Sequence, residues 1–349
     1  MIKKATSRII FKPIVAKANR AIPIVSTALN WKDFIGGWRV RWGSGRNNYR
    51  VEPGLYGIGS PKPESPVLVS ANYKLSFDAL RKELCGIDAW ILVLDTKGVN
   101  VWCAAGKGTF GTAELVHRIR KERLSSVVSH RLLIVPQLGA VGVAAHEVRK
   151  ESGFRVVYGP VRAKDIQEFL SSGMKKDERM RSVSFDLADR MAVAPVELSH
   201  AWPFIASALA LSVTLTAFSD SVTMVAFIRW ASVFISSIFT GALLFPALLP
   251  WLPFRAFALK GAALGVAWSL GASLAAGFDA PTALAVVLLS TSVISFIAMN
   301  FTGTSTYTNL SGATVEVKTG VPCMLVSAIA GLGLLGWRVV WPFMAGRLA

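Results

Sequence analysis

AWILVLDTKGVNVWCAAGKGTFGTAELVHRI, residues 89–119, opens with six apolar residues closed by Asp95, passes through a glycine-punctuated segment with one cysteine, and ends in a helical pattern from Thr112. A short apolar run bounded by turn residues and followed by an amphipathic helix is the repeating unit of a buried parallel sheet. The unit recurs on both sides. VLVS (67–70), AWILVLD (89–95), RLLIV (131–135) and FRVVY (154–158) read as strands, and 76–84, 112–124, 141–152 and 162–171 as helices. This alternation predicts an α/β head, a parallel sheet with helices on both faces. Ligands of such folds bind over the C-terminal strand ends, here the loops 70–75, 95–111, 136–140 and 159–162.

Outside the head the composition changes. The chain has 349 residues, 52% hydrophobic and 17% charged, and a mean hydropathy of +0.47, beyond the range of soluble globular proteins. Residues 1–197 hold 32 Lys/Arg against 18 Asp/Glu, whereas 198–349 hold 6 against 3. Five apolar stretches follow Glu197, at about 198–218, 223–245, 254–276, 281–302 and 321–344, each near the roughly 20 residues that cross a bilayer as a helix. The sequence thus predicts a basic N-terminal extension without regular structure (1–65), the α/β head (66–171), a charged linker (172–197) and an all-α transmembrane domain of five helices (198–349).

The cations set the expected orientation. Arg255 and Lys260 mark the second connection and Lys318 the fourth, while the first and third carry Asp220 and Asp279. The positive-inside rule then puts the head and the loop 303–320 in the cytoplasm and the chain in the cytoplasmic membrane as a multi-pass protein. Residues 1–20 are basic like a signal peptide, but Lys12, Lys17 and Arg20 interrupt them before an apolar core develops, so the segment is expected to remain on the protein. A net charge of +17 invites a nucleic-acid reading, yet no nucleic-acid motif accompanies it and a head beside anionic lipid has its own reason to be basic. The cysteines Cys85, Cys103 and Cys323 form no CxxC pair, so the chain is expected to hold no zinc ribbon or iron–sulfur cluster of its own. Cys85 and Cys323 read as packed residues.

The chemistry concentrates in 95–111, where three readings compete. Gly106, Gly108 and Gly111 spell GxGxxG between a strand and a helix, the pattern of a dinucleotide site. Here, however, the glycines begin eleven residues after Asp95, whereas a dinucleotide site places them directly after the strand. Gly106-Lys107 followed by Gly108 also fails as a Walker A loop. The second reading makes Cys103 a buried small residue and the glycines turns. In the third, Asn100 caps a short helix begun by Val101 and Trp102 and places Cys103 in its first turn, as a nucleophile or soft-metal ligand at the sheet edge.

NVWCAAGKGTFGTAELVHRI (100–119), SANYKLSFDALR (70–81), LDTKG (94–98), VPQLGAVGVAAHEVRKESGFRVVYGPVRAKDI (135–166) and NFTGTSTYTNLSG (300–312) resemble the corrinoid protein of microbial mercury methylation, as does a head followed by five spans. The corrinoid domain of that family is similar to the one in the corrinoid iron–sulfur protein of the acetyl-CoA pathway. The resemblance implies a mercury methyltransferase, with Cys103 as lower axial ligand of a base-off corrinoid (cobalamin) whose cobalt passes a methyl group to Hg(II). It implies cofactor contacts at Ser70, Asn72, Ser76, Thr96, Asn100, Val101, Trp102, Ala104, Gly106, Lys107, Gln137 and Tyr158. It also implies two partners: a two-cluster 4Fe–4S ferredoxin as reductant, and a methyltransferase supplying the methyl group from methyl-tetrahydrofolate. The competing class is a membrane-anchored α/β sensor module that binds a nucleotide or other small ligand without methyl transfer.

Overall fold

The computed structural model describes residues 13–15, 21–219, 222–304, 307 and 310–348. Residues 1–12 and the connection at Asp220 lie outside them. The chain divides into two units, Met1–Val40 with Ser44–Ser184, and Arg41–Gly43 with Phe185–Ala349.

The first unit is built on seven strands: β1 (Pro13–Val15), β2 (Ala21–Val25), β3 (Gly54–Ile58), β4 (Val67–Ala71), β5 (Ala89–Leu94), β6 (Leu132–Val135) and β7 (Arg155–Tyr158). Their order is β1-β2-β3-β5-β4-β6-β7. Strands β5, β4, β6 and β7 run parallel, with Ser70 beside Val93 and Val135 beside Tyr158. Strand β3 runs antiparallel to β5, so the sheet is mixed and not purely parallel as the alternation predicted. Every residue of β3, β4 and β5 is buried, the signature of strands covered on both faces.

Side chains alternate between two cores. Val67, Val69, Leu92 and Leu94 face one cluster with Leu115, Val116 and Ile119, which come from α4 (Thr112–Lys121). Leu68, Ile91 and Val93 face the other, with Phe77 of α2 (Lys74–Lys82) and Phe169 of α7 (Ile166–Ser171). Helices α3 (Val101–Gly106), α5 (Leu124–Val127) and α6 (Ala145–Ser152) complete the first layer.

Residues 1–65 are not irregular where described: they supply β2, the mid-sheet strand β3 and helix α1 (Trp31–Arg41). Glycine disguised them. Strand β3 reads GLYGI, and a Cβ on Gly57 would meet the tip of the Ile24 side chain at 2.4 Å. Helix α1 is held from its inner side by a buried ring of four charges. Asp33 accepts from Lys74 Nζ at 2.6 Å and Arg81 Nη2 at 2.8 Å, and Asp78 accepts from the same two side chains at 2.5 and 2.7 Å. Burial alone would raise the Asp33 carboxyl, but the hydrogen bond and charge of Lys74, with Arg81 behind it, hold it below its ordinary value of 3.8.

The second unit is helical: α8 (Leu187–Met191), α9 (Ala194–His200), α10 (Trp202–Ala217), α11 (Met224–Phe239), α12 (Phe245–Leu248), α13 (Phe257–Ala275), α14 (Ala280–Asn300) and α15 (Leu310–Leu348). Four segments are long and apolar enough to cross a membrane, 224–248, 257–275, 280–300 and 312–341, and a fifth is counted if the pair 187–200 and 202–217, bent by 54°, forms one span. Residues 240–244 form a π-turn that joins α11 to α12. Helix α13 packs closely on α14, where a Cβ on Gly265 would stand 2.9 Å from Thr291 Cα, the small-residue contact typical of helices in lipid. Lys260 donates to the Leu249 and Leu252 carbonyls at 3.0 and 2.6 Å. The loop expected over 303–320 is largely helix, because α15 begins at Leu310.

Candidate functional site at the strand ends

The C-terminal ends of β4 and β5 are tied together by Asn72, which follows β4 and is 1% exposed. Its side-chain oxygen accepts the backbone N–H groups of Thr96 at 3.1 Å and Gly98 at 2.9 Å, and its amide donates to Asp95 Oδ1 at 3.2 Å. The Thr96 hydroxyl lies 2.9 Å from that same oxygen and 2.6 Å from the Val99 carbonyl. These bonds hold a turn in which Lys97 is left-handed (φ 59°), a conformation costly for a residue with a side chain, beside Gly98 (φ 78°), which adopts it freely. Burial would raise Asp95, but the hydrogen bonds from the Lys97 ammonium and backbone N–H keep its carboxyl low. On the outer side, Glu114 accepts the Asp95 N–H at 2.8 Å and pairs with Arg118 at 2.7 Å.

The turn delivers the chain into α3, whose N-cap is Asn100: its side-chain oxygen accepts the Cys103 N–H at 2.9 Å. Of its six residues, Ala104 and Ala105 face the core, while Trp102, 40% exposed, and Cys103 face outward. Phe110, fully buried, fills the space beneath. The cysteine is therefore neither buried nor part of a phosphate loop. It is a thiol displayed from a short, capped helix on the edge of the sheet.

Two glycines, Gly111 and Gly142, have packing roles. Thr112 donates its N–H to the Gly142 carbonyl at 3.1 Å and its hydroxyl oxygen accepts from Ala144 N at 2.9 Å, sewing the segment after β5 to the one after β6. A Cβ on Gly142 would lie 2.2 Å from the Phe110 carbonyl oxygen, and one on Gly111 would lie 2.8 Å from that of Gly108. Of the GxGxxG glycines, Gly111 takes part in this close approach and Gly108 adopts a left-handed φ of 79°, while Gly106 stands in open space.

Of the residues singled out in the sequence, Ser70, Asn72, Thr96, Asn100, Val101, Trp102 and Cys103 gather at the β4 and β5 ends with α3. Ser70 is 3% exposed at the end of β4. Gly106 and Lys107 are exposed at the far end of α3, with open space around Gly106. Ala104 points into the core, so it supports the cap from below. Tyr158 donates its hydroxyl to the Val143 carbonyl at 2.6 Å, and Gln137 accepts from Lys176; both brace neighbouring loops. Ser76 lies half-buried on α2. Cys85 and Cys323 are exposed, not packed as expected. Glu114 and Gly142 were missed. Nothing local marks Glu114 beyond its place in the first turn of α4, and the significance of Gly142 depends on which loop faces it.

Residues 42–170 match the family model described as CO dehydrogenase/acetyl-CoA synthase delta subunit. Similar proteins include the acetyl-CoA decarbonylase/synthase complex subunit gamma of Methanopyrus kandleri, 36% identical over 128 residues, covering 36% of this chain and 27% of that protein. The Archaeoglobus fulgidus subunit gamma is 31% identical over 135 residues, 38% of this chain and 28% of the relative. The corrinoid/iron-sulfur protein large subunit of Moorella thermoacetica is 30% identical over 127 residues, 36% of this chain and 28% of the relative. The chain thus spans little more than a quarter of the length of these relatives.

Proposed function

We propose that the chain is a membrane-anchored corrinoid protein that carries a methyl group and transfers it to Hg(II), with Cys103 as the lower axial ligand of cobalt. The observation that carries this reading is the exposed Cys103 thiol on the capped helix α3, within a segment similar to a corrinoid/iron-sulfur protein. The residues fit such a group. The donor would be a single soft sulfur, suited to cobalt, and the buried polar residues Ser70, Asn72 and Thr96 lie at the adjoining strand ends.

A bound corrinoid would supply a cobalt centre able to hold a methyl group and give it to an electrophile. The chain's own residues would do the rest. Cys103 Sγ would hold the metal, an electron-donating ligand suited to a centre that gives up a methyl group to an electrophile. Asn100 and the packed pair Ala104 and Ala105 would keep that sulfur in place. Asn72 and Thr96 would hold the turn that leads into α3, with Trp102 and Lys107 exposed beside it.

Each turnover needs low-potential electrons, for which a two-cluster 4Fe–4S ferredoxin is the proposed source, and a methyl group drawn from methyl-tetrahydrofolate by a separate methyltransferase. The basic head and the placement of Arg255, Lys260 and Lys318 support a cytoplasmic-membrane location with the head inside. The test uses the full chain in detergent, loaded anaerobically with methylcobalamin and given Hg(II). Methylmercury should form with the native sequence and not with Cys103→Ala, while Cys103→His should retain corrinoid but transfer poorly. Full activity of Cys103→Ala contradicts the reading.

A further inference from the structure

Helix α1 presents an aromatic face to solvent. Trp31, Phe34, Ile35 and Trp38 are 74%, 58%, 41% and 63% exposed. At about 100° per residue they fall within an arc of about 100°. Asp33, Gly37 and Val40 occupy the opposite side and are buried. The helix cannot roll to hide its aromatic side. Asp33 is gripped by Lys74 and Arg81, and a Cβ on Gly36 would meet the Tyr49 ring, so this surface is already pressed close.

The flanks of the face are basic. Lys32 and Arg39 fall along one edge and Arg41 along the other, all exposed, and Arg46 and Arg50 follow within ten residues. The one acid of the helix, Asp33, is consumed by the buried ring. Tryptophan and phenylalanine between rows of cations are suited to the boundary between headgroups and acyl chains, with the cations reaching anionic phosphates. A protein partner would have to bring its own acidic rim, whereas anionic lipid supplies negative charge on every side.

We propose that the exposed face of α1 lies in the headgroup region of an anionic bilayer and holds the α/β unit against the membrane. The proposal rests on the membrane anchoring proposed above. It adds a second, interfacial contact made by the α/β unit itself, and this contact would restrict which way the Cys103 edge faces.

The test is photocrosslinking of the full chain in nanodiscs containing phosphatidylglycerol, with p-benzoylphenylalanine replacing one residue at a time. Phe34 and Trp38 probe the face. Leu284, exposed on α14, reports the anchoring, and Lys121, exposed on α4, serves as the control. Lipid adducts are expected at positions 34, 38 and 284 and not at 121. In otherwise unaltered chains, discs of pure phosphatidylcholine should lower the yield at 34 and 38 by about fivefold or more, because each lost headgroup contact weakens binding, while leaving 284 unchanged. Adducts at 284 without any at 34 and 38 overturn the proposal and leave the anchoring standing. Adducts from 34 and 38 to protein, whether a second copy or another segment, overturn it as well. No lipid adduct at 284 overturns the anchoring and the proposal together.

Discussion

The Asn100 side chain accepts the backbone N–H of Cys103 at 2.9 Å, so the residue that begins the cap helix also fixes the peptide of the residue that carries its chemistry. A six-residue helix has almost no stability of its own. It exists here because its first turn is capped and because its own Ala104 and Ala105 are buried in the core with Phe110.

Removing the cap should therefore loosen α3 without unfolding the head. Asn100→Ala is expected to cost about 1 kcal/mol locally, about a fivefold rise in amide exchange across 101–106, with little change in the melting temperature. Asn100→Asp should restore protection. Hydrogen exchange followed by mass spectrometry measures both.

The ring of Asp33, Lys74, Asp78 and Arg81 predicts an acid limb. The Asp33 carboxyl titrates below its ordinary value of 3.8 in the folded chain. The stability it contributes is thus fully present above that value and is lost as pH falls through the lower, folded one. Denaturation midpoints should be flat from neutral pH to about 5 and then decline. Arg81→Met leaves two buried carboxylates facing one ammonium and should cost about 3–5 kcal/mol at neutral pH. Urea titrations at a series of pH values read both effects.

Two neighbouring glycines should respond oppositely to alanine. At Gly142 the new Cβ would fall 2.2 Å from the Phe110 carbonyl oxygen and 3.2 Å from Ala105 Cα, whereas at Gly106 nothing lies within 4 Å. Gly142→Ala should cost about 1–3 kcal/mol through forced backbone movement and expose the cap amides. Gly106→Ala should be tolerated. Thermal melts of the two variants, beside the native chain, decide this.

What could be read from the sequence follows from what each signal depends on. Strands β4 to β7 were legible because continuous apolar runs bounded by turns mean buried strands wherever they fall, and Asn100 was legible as a cap because capping acts within four residues. Strand β3 was not. Its Gly57 lies close under the Ile24 side chain of another strand, and a glycine whose neighbour is distant in sequence looks like a turn. Gly142 is the same case, pressed against Phe110 and Ala105 of the segment after β5. Helix α1 escaped notice because its hydrophobic face is the outer one, and nothing local in α2 reveals that Lys74, Asp78 and Arg81 close on Asp33. Helix α15 ran through the expected loop 303–320 because Thr, Ser and Gly suit a loop by composition but do not forbid a helix.

Whether Cys103 binds cobalt is decided by X-ray absorption at the cobalt edge after anaerobic reconstitution of the full chain with cobalamin. A sulfur scatterer bound to cobalt should appear in the native chain. It should be absent from Cys103→Ala, which should still hold corrinoid through the strand-end residues. A spectrum with only nitrogen and oxygen ligands in the native chain, or a sulfur shell unchanged in Cys103→Ala, would contradict the account.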